Sequence, residues 1–260
     1  MSELSFPERG AVVTGANRGI GEAVALALLR AGWCVLAVAR TLPSLEALAG
    51  RAGAQREALE GMACDLADAA AVERTCQALR ERRPVPALLV NNAGVSLSAP
   101  LERTGRAELE KVLAINTVAP YALCASLVPA MAGAGGGRVV NVASIAGLRG
   151  LRYTSAYCAS KHALLGMTRA LAVEWADRGV TVNAVCPGWT QTDMLSAAVR
   201  TVSEKTGRSA EQARAAILAN NPLRRAVTPE EVAALVLYLA SPPAASLTGA
   251  ALPVDGGESA

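Results

Sequence analysis

In the segment Tyr157-Cys158-Ala159-Ser160-Lys161 a phenol and an ammonium stand four residues apart, where a periodic apolar pattern reaching Arg178 begins. On a helix that spacing puts both side chains on one face. A phenol with a solution pKa of about 10 is a poor acid–base catalyst at neutral pH, and a neighbouring ammonium lowers that value by favouring the phenolate. Tyr157 is therefore the candidate proton donor and Lys161 its activator. In an arbitrary protein the same spacing is more often a surface lysine near a half-buried tyrosine, so its meaning depends on what accompanies it.

A glycine turn accompanies it. Thr14-Gly15-Ala16-Asn17-Arg18-Gly19-Ile20-Gly21 joins an apolar run at 11–13 to a helical pattern that Gly32 stops. Glycine permits close backbone approach, and a helix N-terminus offers unpaired N–H groups to a pyrophosphate. Such a turn can be plain punctuation. At the first strand-to-helix junction it reads as a dinucleotide cradle formed by Gly15, Asn17, Arg18, Gly19, Ile20 and Gly21. The next strand ends Val38-Ala39-Arg40-Thr41, with no acid to bond a ribose hydroxyl or repel a 2′-phosphate. Arg40, flanked by Thr41, and Arg18 can grip a phosphate from two sides, so NADP(H) is the preferred cofactor and NAD(H) the second option. Two ordinary surface arginines are the alternative.

These groups need a scaffold to converge. Short apolar runs at 35–39, 58–64, 87–91, 138–143, 180–186 and 250–254 follow the first, with helical patterns between them. Seven strands alternating with six helices imply a parallel sheet, and right-handed crossovers place helices on both faces. The expected fold class is α/β, a doubly wound, seven-stranded Rossmann fold, with residues 1–260 forming one domain. The long interval 190–225 carries one helix signal, the capping box Ser209-Ala210-Glu211-Gln212, and ends at Asn220-Asn221-Pro222, as an inserted helical substrate lid would. A second capping box, Thr228-Pro229-Glu230-Glu231, opens a helix through Tyr238.

The ordered motifs make the chain resemble the short-chain dehydrogenase/reductase family, in its single-domain branch, over residues 8–257. Besides the glycine turn and the Tyr157–Lys161 pair, the resemblance rests on Cys64-Asp65-Leu66, Asn91-Asn92-Ala93-Gly94, Asn116, Ser144 and Pro187-Gly188, with Tyr157 standing 13 positions after Ser144. The pattern is most similar to 3-oxoacyl carrier-protein reductases and polyketide-type ketoreductases. The resemblance implies that Ser144 hydrogen-bonds the substrate oxygen, Tyr157 exchanges its proton, Lys161 also holds the nicotinamide ribose, and Asn116 keeps a proton-relay water. It implies that Asp65 and Leu66 meet the adenine, Asn92, Ala93 and Gly94 the adenosine ribose side, and Pro187, Gly188, Thr190 and Thr192 the nicotinamide and pyrophosphate. At Thr190 only a backbone role carries over. It also implies a homotetramer, and the helix after Tyr157 is apolar on more than one face, including Ala163, Leu164, Met167, Leu171, Val173 and Trp175.

Composition bounds the rest. The 260 residues are 52% hydrophobic and 18% charged, excluding a disordered chain, and eight aromatics leave Ala, Val and Leu to build the core. A net charge of +3 without a basic run argues against nucleic acid. No apolar stretch reaches the roughly 18 to 20 residues of a membrane span, and the N-terminal MSELSFPERG carries no export signal, so the expected location is cytoplasmic. Six dispersed cysteines read as reduced, mostly buried thiols, and with the single His162 they offer no metal-ligand spacing. His162 and Cys158 are expected to be structural. Arg149, Arg152, Arg224 and Arg225 flank the presumed cleft and could pair with the phosphates of a coenzyme A or carrier-protein thioester, or be solvated loop residues. Trp189, Met194 and Leu195 offer apolar surface for a ketone or secondary alcohol. Three readings follow: an NADP-dependent reductase of a β-oxoacyl thioester or related ketone; an NAD-dependent catabolic dehydrogenase of a cyclic or aliphatic secondary hydroxy compound or hydroxyacyl-CoA; and a non-catalytic dinucleotide sensor.

Overall fold

Strand residues alternate between the two faces of a sheet, and here both faces are apolar, as a parallel sheet covered on both sides requires. In the computed structural model, which describes residues 9–260, Ala11 and Val13 of the first strand bury into one helical layer and Val12 into the other. Residues 1–8, where the absence of an export signal was read, lie outside the described residues. The strands are β1 (Gly10–Thr14), β2 (Cys34–Ala39), β3 (Leu59–Ala63), β4 (Leu88–Asn91), β5 (Gly137–Val142), β6 (Val180–Pro187) and β7 (Ala251–Val254). They form one parallel sheet in the order 3-2-1-4-5-6-7. The expected strands are present within two residues at either end.

The helices among the described residues are α1 (Gly19–Arg30), α2 (Glu46–Ala52), α3 (Ala69–Glu81), α4 (Arg106–Leu113), α5 (Ala119–Gly133), α6 (Ser155–Trp175), α7 (Asp193–Thr206), α8 (Ala210–Ile217) and α9 (Pro229–Leu239). Nine helices replace the expected six. One extra helix, α7, opens the lid, and its start is hidden in sequence because the Thr192 hydroxyl caps no helical N–H and instead reaches the Thr190 carbonyl at 3.4 Å. The capping boxes at Ser209/Gln212 and Thr228/Glu231 both form as expected. Between α4 and α5 the helix widens into a five-residue π turn, Ala114–Val118, which holds Asn116 fully buried.

One face of the sheet is covered by α1, α2 and α9, the other by α3, α5 and α6, and the largest fully buried side chains are leucines and Met131. The helical run 106–133, although interrupted by polar residues, contains an 18-residue window of mean hydropathy 1.6, enough by length and composition to cross a membrane. The cause is packing, since Leu123, Cys124, Leu127, Val128 and Met131 are buried in the core.

Two glycines fix the first turn. Gly19 has φ +56°, left-handed backbone that a side chain rarely adopts. A Cβ at Gly21 would collide with the Gly15 carbonyl and the Asn92 carboxamide. Gly21→Ala is therefore expected to lower stability by about 1–3 kcal/mol. Gly50→Ala, inside α2 with nothing within 4 Å of the added carbon, should raise it by about 0.5–1 kcal/mol. Urea unfolding of the two variants checks the opposite signs, and equal shifts would refute the packing argument.

Candidate active site

Parallel strands deliver the residues that follow them to one edge of the sheet, and a crevice opens where neighbouring strands lead their connections to opposite faces. That point lies between β1 and β4, which pair directly. The Thr14 hydroxyl accepts from the Asn92 and Ala93 amides, both at 3.0 Å, and the Asn92 carboxamide donates to the Thr14 and Gly15 carbonyls at 2.9 and 3.2 Å. Thr14 had no assigned part in the sequence reading, where it only led into the glycines. The Asn92 side chain thus holds the glycine turn against the connection that follows β4. Gly94 lies against a cluster around Asn116 and Lys161, because a Cβ on it would sit 3.2 Å from Asn116 Oδ1 and 3.5 Å from Lys161 Nζ.

That cluster is built on α6 and the π turn. Asn116 accepts from the Val95 amide and donates to the Val95 carbonyl, both at 2.9 Å, and donates to Ser160 Oγ at 3.0 Å. Ser160 passes the chain on to the Tyr157 carbonyl at 2.7 Å. Sequence reading missed Ser160 as a participant, although it stands beside Lys161 in the same motif. Lys161 Nζ donates to the Val142 carbonyl at 2.9 Å and lies 5.8 Å from the centre of the Tyr157 ring. Ser144 follows β5 and its hydroxyl accepts from the Ala146 amide at 3.1 Å, which leaves its own hydrogen to be donated.

Burial, not Lys161, dominates the phenol: it pushes the Tyr157 pKa up, with a hydrogen bond from Ser144 opposing it. This corrects the expectation of a phenol already lowered by the ammonium. Lys161 faces a carbonyl and is itself pulled down to about 8 by burial, against a small opposing effect of Cys186. The half-buried Tyr157 and buried Lys161 are shifted in opposite directions, the pattern of acid–base sites.

On the cofactor side, Arg40 and Thr41 are exposed at the end of β2, and Arg40 forms no ion pair or hydrogen bond among the described residues. Arg18 is held by Asp193 of α7 at 3.0 Å. Ile20 packs on the core beneath the turn, while Gly15, Asn17 and Gly19 form its rim. Asp65 is exposed with one oxygen accepting from the Ala67 amide, and Leu66 is buried in the core. Thr192 lies against the turn, since a Cβ at Gly19 would be 3.0 Å from its methyl. Thr190 is buried, with its hydroxyl on the Gly188 carbonyl, and Gly188 follows Pro187 and donates to the Val254 carbonyl.

The expected substrate residues fare differently. Arg149 is paired at 3.3 Å with the buried Glu258, whose carboxyl burial pushes up and Arg149 draws back. Arg225 forks onto Glu231 and pulls it down to about 2, and Arg224 donates to the Ala219 carbonyl at 2.6 Å. Arg152 stays exposed, 4.7 Å over the Tyr153 ring. Three of the four cations flanking the cleft are therefore occupied by the protein, a correction to their reading as phosphate ligands. Leu195 is also corrected: at 1% exposure it forms the lid's own core with Leu218 and Ala226, against which Trp189 packs. Met194 remains exposed. His162 bonds the Cys158 carbonyl through Nδ1, and Cys158 lies against the Thr154 hydroxyl, both structural contacts.

Comparison with known proteins finds relatives along nearly the whole chain. Residues 15–259 match a family model described as enoyl-(acyl carrier protein) reductase. The chain is 38% identical over 247 residues to D-threitol dehydrogenase of Mycolicibacterium smegmatis, covering 95% of this chain and 91% of that protein. It is 36% identical over 254 residues to the 3-oxoacyl-[acyl-carrier-protein] reductase FabG of Pseudomonas aeruginosa, covering 98% of each. The crystal structure of a single-residue variant of actinorhodin polyketide ketoreductase with NADPH superposes with TM-score 0.90 at 35% identity, covering 99% of this chain and 98% of that one.

Lys161 supplies a test with a definite sign. Its folded value, about 8, lies below the unfolded value of about 10.4, so between them the unfolded chain binds more protons and stability rises with pH. The destabilisation is complete below the folded value and fades as pH climbs through that window. Lys161→Met should therefore be more stable than wild type at pH 7, by about 1–3 kcal/mol, with the advantage shrinking as the pH approaches 10. Urea unfolding across that range checks it, and a difference independent of pH would contradict the assignment.

Proposed function

The chain belongs to the short-chain dehydrogenase/reductase family and is an NAD(P)-dependent oxidoreductase, and from that premise we propose that it interconverts a ketone and a secondary alcohol using NADP(H). The observation that carries the reading is the convergence of Ser144, Tyr157, Lys161 and Asn116 beside the glycine turn. The residues fit the cofactor: α1 presents its N-terminus behind a turn that admits no Cβ at Gly21, and Arg40, unpaired among the described residues, can take a 2′-phosphate. The nicotinamide supplies or accepts the hydride when bound.

In the reducing direction the Ser144 hydroxyl donates to the substrate carbonyl oxygen and Tyr157 delivers its proton to the same atom. Before that transfer the raised phenol pKa keeps the proton in place. As the phenolate forms, the buried Lys161 ammonium, 5.8 Å from the centre of the ring, stabilises it. Asn116 and Ser160 hold the backbone of Val95 and Tyr157, fixing the geometry of both sides of the cleft.

For the substrate, a β-oxoacyl thioester or related ketone is supported by the reductases among the relatives. An uncharged polyol or similar secondary alcohol is favoured by a separate observation, the neutralisation of Arg149 and Arg225 by Glu258 and Glu231. Exposed Val118, Tyr121 and Val173, at 60, 60 and 85% exposure, support assembly as a homotetramer. Six free thiols fit a reducing cytoplasm.

Fluorescence titration should give tighter binding of NADPH than NADH in the wild type and the reverse order in Arg40→Asp. Tyr157→Phe should lower kcat by about 10²–10⁴-fold with little change in cofactor affinity. Turnover of a β-oxoacyl thioester with NADPH supports the first substrate reading. Oxidation of a polyol, with the thioester inert, replaces it with the second, and NADH preference in the wild type overturns the cofactor reading.

A further inference from the structure

Of the two arginines read as ligands of the 2′-phosphate, Arg40 has no partner among the described residues and Arg18 has one. Arg18 precedes Gly19 in the glycine turn, and its guanidinium meets the carboxylate of Asp193 at 3.0 Å, with both side chains about 70% exposed. Asp193 is the first residue of α7, where the helix dipole favours a negative charge. Its neighbour Thr192 is packed against Gly19, so the contact ties the turn to the lid at two adjacent residues.

We infer that Asp193 is a cofactor-specificity residue: its carboxylate competes with the 2′-phosphate of NADP(H) for Arg18. This inference rests on reading Arg18 as a ligand of that phosphate. Asp193 holds Arg18 through Nη1 alone, so a guanidinium that turns its fork onto the 2′-phosphate gives up that single contact and with it the tie to the first turn of α7. The dianionic phosphate, assisted by Arg40, wins the exchange against a single solvated carboxylate. The carboxylate nonetheless weakens NADP(H) binding and leaves NAD(H), which has no phosphate at that position, unaffected. The discrimination set by Arg40 and Arg18 is thereby reduced from the lid side, where no residue was expected to act on cofactor choice.

The test is a double-mutant cycle of wild type, Arg18→Gln, Asp193→Asn and the double variant, with Kd for NADPH and NADH measured at one low salt concentration. Both positions are exposed, so all four proteins should stay folded with thermal midpoints close together, measured alongside. Asp193→Asn should tighten NADPH by roughly two- to fivefold, the size of an exposed ion pair, with NADH unchanged. In the Arg18→Gln background the same substitution should have no effect. An unchanged or weaker NADPH affinity in Asp193→Asn overturns the inference, as does an equal gain with Arg18 absent, which would signal a general field. If Arg18→Gln itself leaves NADPH affinity unchanged, the reading of Arg18 fails first. If Arg18→Gln weakens NADPH while Asp193→Asn is silent, the inference about Asp193 alone falls.

Discussion

Where β1 and β4 end side by side, the Thr14 hydroxyl takes two backbone N–H groups of the neighbouring connection and Asn92 returns two hydrogen bonds to the glycine turn. The stitch satisfies backbone groups that the diverging strands would otherwise leave unpaired at the crevice. It also fixes the path of residues 92–95, and through them Gly94 and Val95, against which Asn116 and Lys161 are placed. Cofactor turn and proton-transfer cluster are therefore set relative to each other by side chains that need touch neither substrate nor cofactor.

The cluster depends on a second constraint, burial without a matched countercharge. Lys161 is 3% exposed and donates to a carbonyl, and the same dry surroundings that lower its pKa raise that of Tyr157. Each residue is held in a state that the reaction can discharge, at a cost in stability borne by the leucine- and valine-rich layers on either face of the sheet. The segment 190–225 has its own small core around Leu195 and Leu218 and meets the glycine turn through Thr192 and Asp193.

Most of the architecture was legible in the chain because period and punctuation carry it: all seven strands, the glycine turn, α6 and two capping boxes are local signals. The lid's first helix was not, since Thr192 does not cap it, and the π turn around Asn116 leaves no mark in composition. Among substrate residues the reading misled for one reason. Arg149 meets Glu258 across 109 positions and Leu195 turns into a core whose other members lie 23 and 31 residues away, relations that no local pattern contains.

The sequence by itself determined the chemistry on offer and its order along the chain: a phenol and an amine one helical turn apart, a glycine turn before a helix, and arginine without acid at the end of β2. Those facts depend on residue type and short spacing, and folding does not change them. The tertiary structure alone decided which charges are free. Arg40 remains available, while Arg18, Arg149 and Arg225 are claimed by Asp193, Glu258 and Glu231. It also decided that burial outweighs the Tyr157–Lys161 attraction, because the energy of a charge depends on everything packed around it and not on its neighbours in sequence.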